Sequence, residues 1–158
     1  MSEIVLREVT GTHEVGSAVV AEIQAIWRAA REGVLAFLLP IHGPEEEREY
    51  IAGVMLRAAR VFVADLEGAR GVGFISLRGE AVEQLYVHPA FQNRGVGVAL
   101  LGRAKELKDR LELWAFEVNE GAIRFYRREG FEIVLRTDGE QNEAKRADVK
   151  LIWERGRE

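Results

Sequence analysis

The chain has 158 residues, 47% hydrophobic and 30% charged, the balance expected of one globular domain spanning residues 1–158. A formal net charge of −4 argues against a general nucleic-acid binder, and the apolar runs are too short for a transmembrane helix. With no cysteine, three histidines and no close His/Asp/Glu cluster, the sequence offers no disulfides, no thiolate chemistry and no metal site. The first residues pass straight into a strand-like pattern without a signal peptide, so a cytoplasmic protein with no membrane partner is expected.

Ile4 to Val9 reads as a first strand. Thr12 to Arg31 reads as a helix, with Val15, Val19, Ile23, Ile26 and Trp27 at helical spacing. Pro40 to Pro44 is a break. Pro44 then opens a second helix, with Glu45, Glu46 and Glu47 near the positive end of its dipole. Val61 to Asp65 and Gly71 to Leu77 are strand-like and joined by a turn at Glu67-Gly68. Val82 to Val87 is another strand, followed by a long helix from Gly95 to Arg110 with Val98, Leu101, Ala104 and Leu107 on one stripe. Leu111 to Val118 reads as a strand and Gly121 to Glu129 as a helix with Gly130 as its C-cap. Phe131 to Leu135 and Val149 to Trp153 complete the set. The order β-α-α-β-β-β-α-β-α-β-β predicts an α/β (α+β) fold, a mixed sheet with helices packed against it.

Two segments carry chemistry. In Gln92-Asn-Arg-Gly-Val-Gly97 a strand and a short loop precede an amphipathic helix. Gly95 and Gly97 let the backbone come close to a ligand, and the helix opening turns several N–H groups to one point, where a phosphate fits. Gln92, Asn93 and Arg94 add side-chain donors; the plain alternative is a glycine-softened helix start. Position 100 is Leu, so the Gly-x-Gly-x-x-Gly dinucleotide pattern fails, and the Gly-Lys-Ser/Thr of a P-loop is absent. In the second segment, Asn119 stands at a strand-to-helix junction, where it can cap the helix. Ala122, Phe125, Tyr126 and Glu129 follow at helical spacing. Tyr126 is either a half-buried packing residue or a general acid able to protonate a leaving thiolate.

Together these segments resemble the GCN5-related N-acetyltransferase (GNAT) superfamily. The resemblance is specific from about Val61 to Phe131: Leu85-Tyr86-Val87, Gln92-x-x-Gly-x-Gly97, Leu100-Leu101, Asn119, Tyr126 and Gly130-Phe131. It implies a mostly antiparallel mixed sheet and acetyl-CoA as the acyl donor. The backbone around Leu85, Tyr86 and Val87 would pair with the pantetheine arm, and N–H groups from Asn93, Arg94, Gly95, Val96, Gly97 and Val98 would hold the pyrophosphate. Asn119 would contact the pantetheine, Ala122 and Phe125 would line the cofactor groove, and Tyr126 would protonate the coenzyme A thiolate. A backbone N–H near Val87 would polarise the acyl carbonyl. Dimers are common among proteins of this kind, so a homodimer is compatible with the resemblance.

The general base is not marked. An amine of pKa about 10.4 must lose its proton before it attacks. The family positions for an acid match Ala81 and Trp114 here, and neither is acidic. Glu83 shares the strand face of Ala81 by two-residue alternation and is the first candidate, directly or through water. Glu117 follows it; His88 beside Pro89 reads as a loop residue. Around the acceptor the resemblance brings Trp27, Arg28, Arg31, His42 and the run Glu45-Glu46-Glu47, whose acids would favour a cationic amine. The polar loop Thr137 to Lys145 either closes over the acceptor or is a plain hairpin connection. The leading function is acetyl-CoA-dependent transfer to a primary amine of a small molecule or a peptide. The alternatives are a non-catalytic acyl-CoA-binding sensor and an O-acyltransferase.

Overall fold

The computed structural model describes residues 3–32, 43–143 and 145–156. Pro40 and His42 lie outside them. The strands are β1 (Ile4–Glu8), β2 (Arg60–Leu66), β3 (Ala69–Arg78), β4 (Ala81–Val87), β5 (Arg110–Phe116), β6 (Glu132–Thr137) and β7 (Asp148–Glu154). The helices are α1 (Ala18–Arg31), α2 (Pro44–Tyr50), the short α3 (Leu56–Ala58), α4 (Val96–Leu107) and α5 (Glu120–Arg128). A π-helical turn, Ile51–Met55, joins α2 to α3. Among the described residues, no helix is long and apolar enough to cross a membrane.

The seven strands form one sheet in the order β1-β2-β3-β4-β5-β7-β6, antiparallel at every junction but one. Alternation along β2 divides the core. Val61 and Val63 face a layer made by Val20, Ile23 and Ile26 of α1 with Ile51, Met55 and Leu56. Phe62, Ala64 and Leu66 face the other layer, where Leu100, Leu101 and Ala104 of α4 pack with Tyr126, Phe131, Leu111, Leu113, Val149 and Leu151. Arg7 ties three elements together. Its Nε donates to Asp65 Oδ2 at 2.7 Å and its Nη2 to Glu22 Oε1 at 2.7 Å, joining β1 to β2 and α1.

Two expected helix boundaries and one buried stripe differ. The first helix begins at Ala18 rather than Thr12, because the Ser17 hydroxyl accepts from the Val20 N–H and ends the preceding turn. The helix predicted to run to Arg110 stops at Leu107. The chain becomes extended at Lys108, and Arg110 enters β5 opposite Glu154, between Glu80 and Glu112. The buried stripe of α4 is Val96, Leu100, Leu101 and Ala104; Val98 is 47% exposed and Leu107 is also exposed.

The odd junction is β4 with β5. They run parallel and share a single register pair, Ala81 with Glu112, before diverging. β4 also carries a bulge. Ser76 pairs with Gln84 and Leu77 with Val82, which leaves Glu83 as the extra residue. The bulge interrupts the simple alternation between Ala81 and Glu83, and Glu83 meets Arg78, the residue paired with Ala81. The register also shifts between β2 and β3 beyond Ala64, and a bulge interrupts edge strand β6 at Val134, between the pairs Ile133–Leu151 and Leu135–Lys150.

Gly73 of β3 sets how closely α4 approaches the sheet. A Cβ there would stand 3.0 Å from Val96 Cγ1, 3.1 Å from the Tyr86 carbonyl oxygen and 3.2 Å from Leu100 Cδ1. Gly73→Ala should overpack this contact and cost about 1–3 kcal/mol, read as a lower urea midpoint. An unchanged midpoint would show that α4 can move away freely.

Candidate active site

Where β4 and β5 separate, the strand edges facing each other lose their ladder partners. Buried backbone groups demand partners, so this cleft suits an extended, amide-bearing ligand. It opens into a groove of about 1240 Å³ that runs between the two helix layers. Leu85, Tyr86, Val87, Gln92, Asn93, Gly95, Val96, Gly97, Val98, Asn119, Ala122, Phe125 and Tyr126 all line it, as does Glu83. Arg94 is the exception among the expected site residues. Its guanidinium lies over the Phe91 ring, 5.8 Å from the centroid.

The loop between β4 and α4 is fixed by bonds within itself and to the end of β4. His88 Nδ1 accepts from the Ala90 N–H at 3.1 Å, starting a 3₁₀ turn at Pro89–Phe91. Gln92, expected as a free donor, gives its side-chain N–H to the Val87 carbonyl at 3.3 Å and so pins the loop to the strand end. Asn93 (φ 62°) and Gly95 (φ 86°) are left-handed, which turns the chain abruptly into α4. A Cβ on Gly97 would come within 3.3 Å of Phe125 Cζ, so a side chain there would fill the gap between α4 and α5. The first N–H groups of α4 thus face a narrow slot suited to a pyrophosphate.

Asn119 does cap α5: its Oδ1 accepts from the Ala122 N–H at 3.3 Å, and its Nδ2 makes no hydrogen bond among the described residues. Tyr126 is held by the helix end. Gly130 is left-handed (φ 98°), and the Phe131 N–H returns to the Tyr126 carbonyl at 3.0 Å. That closure sets the Phe131 ring 5.5 Å from Tyr126, with the ring of the adjacent residue Phe125 5.3 Å away. Burial pushes the Tyr126 phenol above its ordinary value, and the neighbouring Tyr86 adds to the shift. A phenol is protonated at neutral pH at its ordinary value and burial raises it further, so Tyr126 is available as a proton donor.

Glu83 lines the groove with an Arg78 partner at 3.0 Å. Tyr86 projects to the α1 side, with ring centroids 5.8 Å from Phe74 and 6.4 Å from Trp27, and burial pushes its phenol up. The acidic run at the start of α2 does not form an acid pocket. Glu45 and Glu46 are exposed and absent from the groove wall, while Glu47 is buried against Arg28 (3.4 Å), Arg31 and Gln24 (3.2 Å). Glu47 is thus neutralised by the arginines expected beside the acceptor, and it joins α1 to α2.

The groove has walls that no motif announces. Ala30 and Glu32 flank it at the end of α1, Arg124 and Arg128 along α5, and Thr137, Gln141, Asn142 and Asp148 at the β6–β7 hairpin. The hairpin is therefore part of the groove wall rather than a remote connection. A polar residue heading an apolar strand was the available signal for Asp148. Among the described residues, no group of three His, Cys, Asp or Glu side chains could hold a metal ion.

A splayed parallel pair with a bulge, a glycine-opened helix at its mouth and a buried tyrosine beside it come together in one groove, and the comparisons with known proteins give its class. A model of the acetyltransferase (GNAT) domain matches residues 57–133. The peptidyl-lysine N-acetyltransferase YjaB of Escherichia coli (strain K12) is 30% identical over 126 residues, 80% of this chain and 82% of that protein. The protein of the same name from Salmonella typhimurium (strain LT2) is 29% identical over 126 residues, covering 80% and 83%. The solution structure of apo-form YjaB from Escherichia coli matches with a TM-score of 0.71 at 26% identity, covering 96% of this chain and 97% of that one. The chain belongs to the GNAT acetyltransferase family and is an acetyltransferase.

Gly95 lines the groove at the start of α4, and replacing it by Glu would add bulk and negative charge there. Coenzyme A affinity measured by calorimetry should fall at least about a hundredfold, since losing charge-assisted hydrogen bonds costs roughly 3 kcal/mol. Unchanged affinity would displace the pyrophosphate from this loop.

Proposed function

We propose that the protein is an acetyl-CoA-dependent N-acetyltransferase that passes the acetyl group directly to a primary amine, with a lysine side chain of a peptide or protein as acceptor. The observation that carries this is the open β4–β5 cleft ending at the Gly95–Val98 helix start. The relatives' activity on peptidyl lysine supports the choice of acceptor.

In this reading, N–H groups from Asn93 to Val98 bind the pyrophosphate, with Arg124 and Arg128 adding positive charge along the groove. The unpaired edge of β4 at Leu85–Val87 takes the pantetheine amides as a further strand would. A β4 N–H near Val87 polarises the thioester carbonyl. Asn119 Nδ2 contacts the pantetheine while Oδ1 caps α5. Ala122 and Phe125 form the apolar wall.

The neutral amine attacks the carbonyl carbon; a C–N bond forms and the C–S bond breaks. Tyr126 gives its proton to the departing sulfur and recovers one from solvent. The amine releases its proton through water, with Glu83 the carboxylate placed to receive it. Glu83 is paired with Arg78 at 3.0 Å, and the proton reaches it through water.

A coenzyme A sensor would need the groove but no acid at the sulfur, and the buried, protonated Tyr126 speaks for turnover. Tyr126→Phe should lower kcat about a hundredfold while coenzyme A affinity changes less than about twofold, read by thiol release against calorimetry. An unaltered rate would remove Tyr126 from the acid role. Tight coenzyme A binding by the wild type with no release on any amine would favour the sensor.

A further inference from the structure

Two carboxylates are buried among the described residues, and they differ in one respect. Glu47, 3% exposed, meets Arg28 and Arg31. Asp148, 8% exposed, meets only neutral donors: Thr137 Oγ1 donates to Oδ1, and Asn142 Nδ2 donates to Oδ2 at 3.2 Å. No Lys, Arg or His pairs with it among the described residues; nearby Lys145 gives its Nζ to the Glu140 carbonyl at 2.7 Å. Removing a carboxylate from water is costly unless an opposite charge compensates. Two neutral hydrogen bonds fix the orientation of Asp148 and leave its charge uncancelled.

Its position gives that charge a use. Asp148 pairs across β7 with Phe116 of β5 and with Thr137 of β6, at the end where β5 has parted from β4. Val149 and Leu151 turn into the α4–α5 core, so alternation turns Asp148 to the opposite face of the sheet, the side of α1. There it lines the groove, and Glu32 lines it from the end of α1. The arginines that line the groove, Arg124 and Arg128, belong to α5 on the other layer. The groove is thus basic along the helix that would flank an anionic donor and acidic along the wall opposite.

We infer that Asp148 is a specificity-determining residue that receives the acceptor as a cationic amine, whose ammonium supplies the missing counter-charge. This rests on the N-acetyl transfer reading above. The hairpin clamps the carboxylate with Thr137 and Asn142 before the acceptor arrives, so little ordering cost remains at binding. The ammonium then loses its proton to water and attacks as the free amine. The chain should consequently prefer lysine-like acceptors over neutral nucleophiles, and that preference should reside in KM.

The test compares wild type and Asp148→Asn in thiol release from acetyl-CoA, with a lysine peptide and with methoxyamine, which is uncharged at neutral pH. Asp148→Asn should lower kcat/KM for the lysine peptide about tenfold or more, chiefly through KM, and leave methoxyamine within about twofold. Asp148→Glu, which keeps the charge, should recover part of the preference. Asn142→Ala, which removes a clamp but not the charge, should retain the ratio between the two acceptors. Equal losses on both acceptors would assign Asp148 a structural role and overturn the inference, as would an unchanged KM for the lysine peptide. A wild-type protein inert toward both acceptors would overturn the transfer reading and this assignment with it. Active wild type whose preference survives Asp148→Asn would overturn the assignment alone.

Discussion

Parallel pairing between β4 and β5 lasts for one residue pair, and the site is built on what that leaves undone. Elsewhere the sheet satisfies its backbone by antiparallel ladders. In the cleft the same groups face outward toward each other across a gap too wide for a hydrogen bond. Burying such groups without partners would cost several kcal/mol, so the cleft favours an occupant with amides of its own. Two devices keep the gap open: the bulge at Glu83, which bends β4, and α5, which follows β5 directly through Asn119.

The two helices that flank the gap are held at their starts. α4 begins with a left-handed glycine and is drawn onto β3 over the bare Gly73, while α5 begins with an asparagine whose side chain is its cap. Phe125 fills the space above Gly97, so the helix starts fix one another's distance. The apolar layer beneath, with Leu100, Leu101, Tyr126 and Phe131, is the same layer that buries the tyrosine. Packing and the candidate site therefore share residues: the layer that stabilises α5 also buries the phenol.

Much of this was legible in the sequence. The element order, the mixed sheet and the glycine-opened helix follow from period-two and period-3.6 patterns joined at turn residues, and most of the expected groove-lining positions lie in two continuous stretches. What was not legible depends on contacts between distant segments. Glu83 could not be placed by alternation, because a bulge is a property of two paired strands. The role of Glu47 was hidden for the same reason: three adjacent glutamates look alike until Arg28 and Arg31 single one out. Asp148 carries no local signal beyond polarity at a strand head, and only the hairpin that brings Thr137 and Asn142 to it reveals a charge without a partner.

The bulge in β6 has a consequence of a different kind. β6 is an outer strand whose Val134 and Leu135 are more than half or about half exposed, an apolar pair on an open edge. Such an edge invites a second chain to extend the sheet. At Val134 the register slips, so the row of donors and acceptors offered outward is broken where the apolar pair lies, and an incoming straight strand finds no continuous ladder. The same kind of one-residue insertion that bends β4 to admit a ligand thus protects β6 from aggregation.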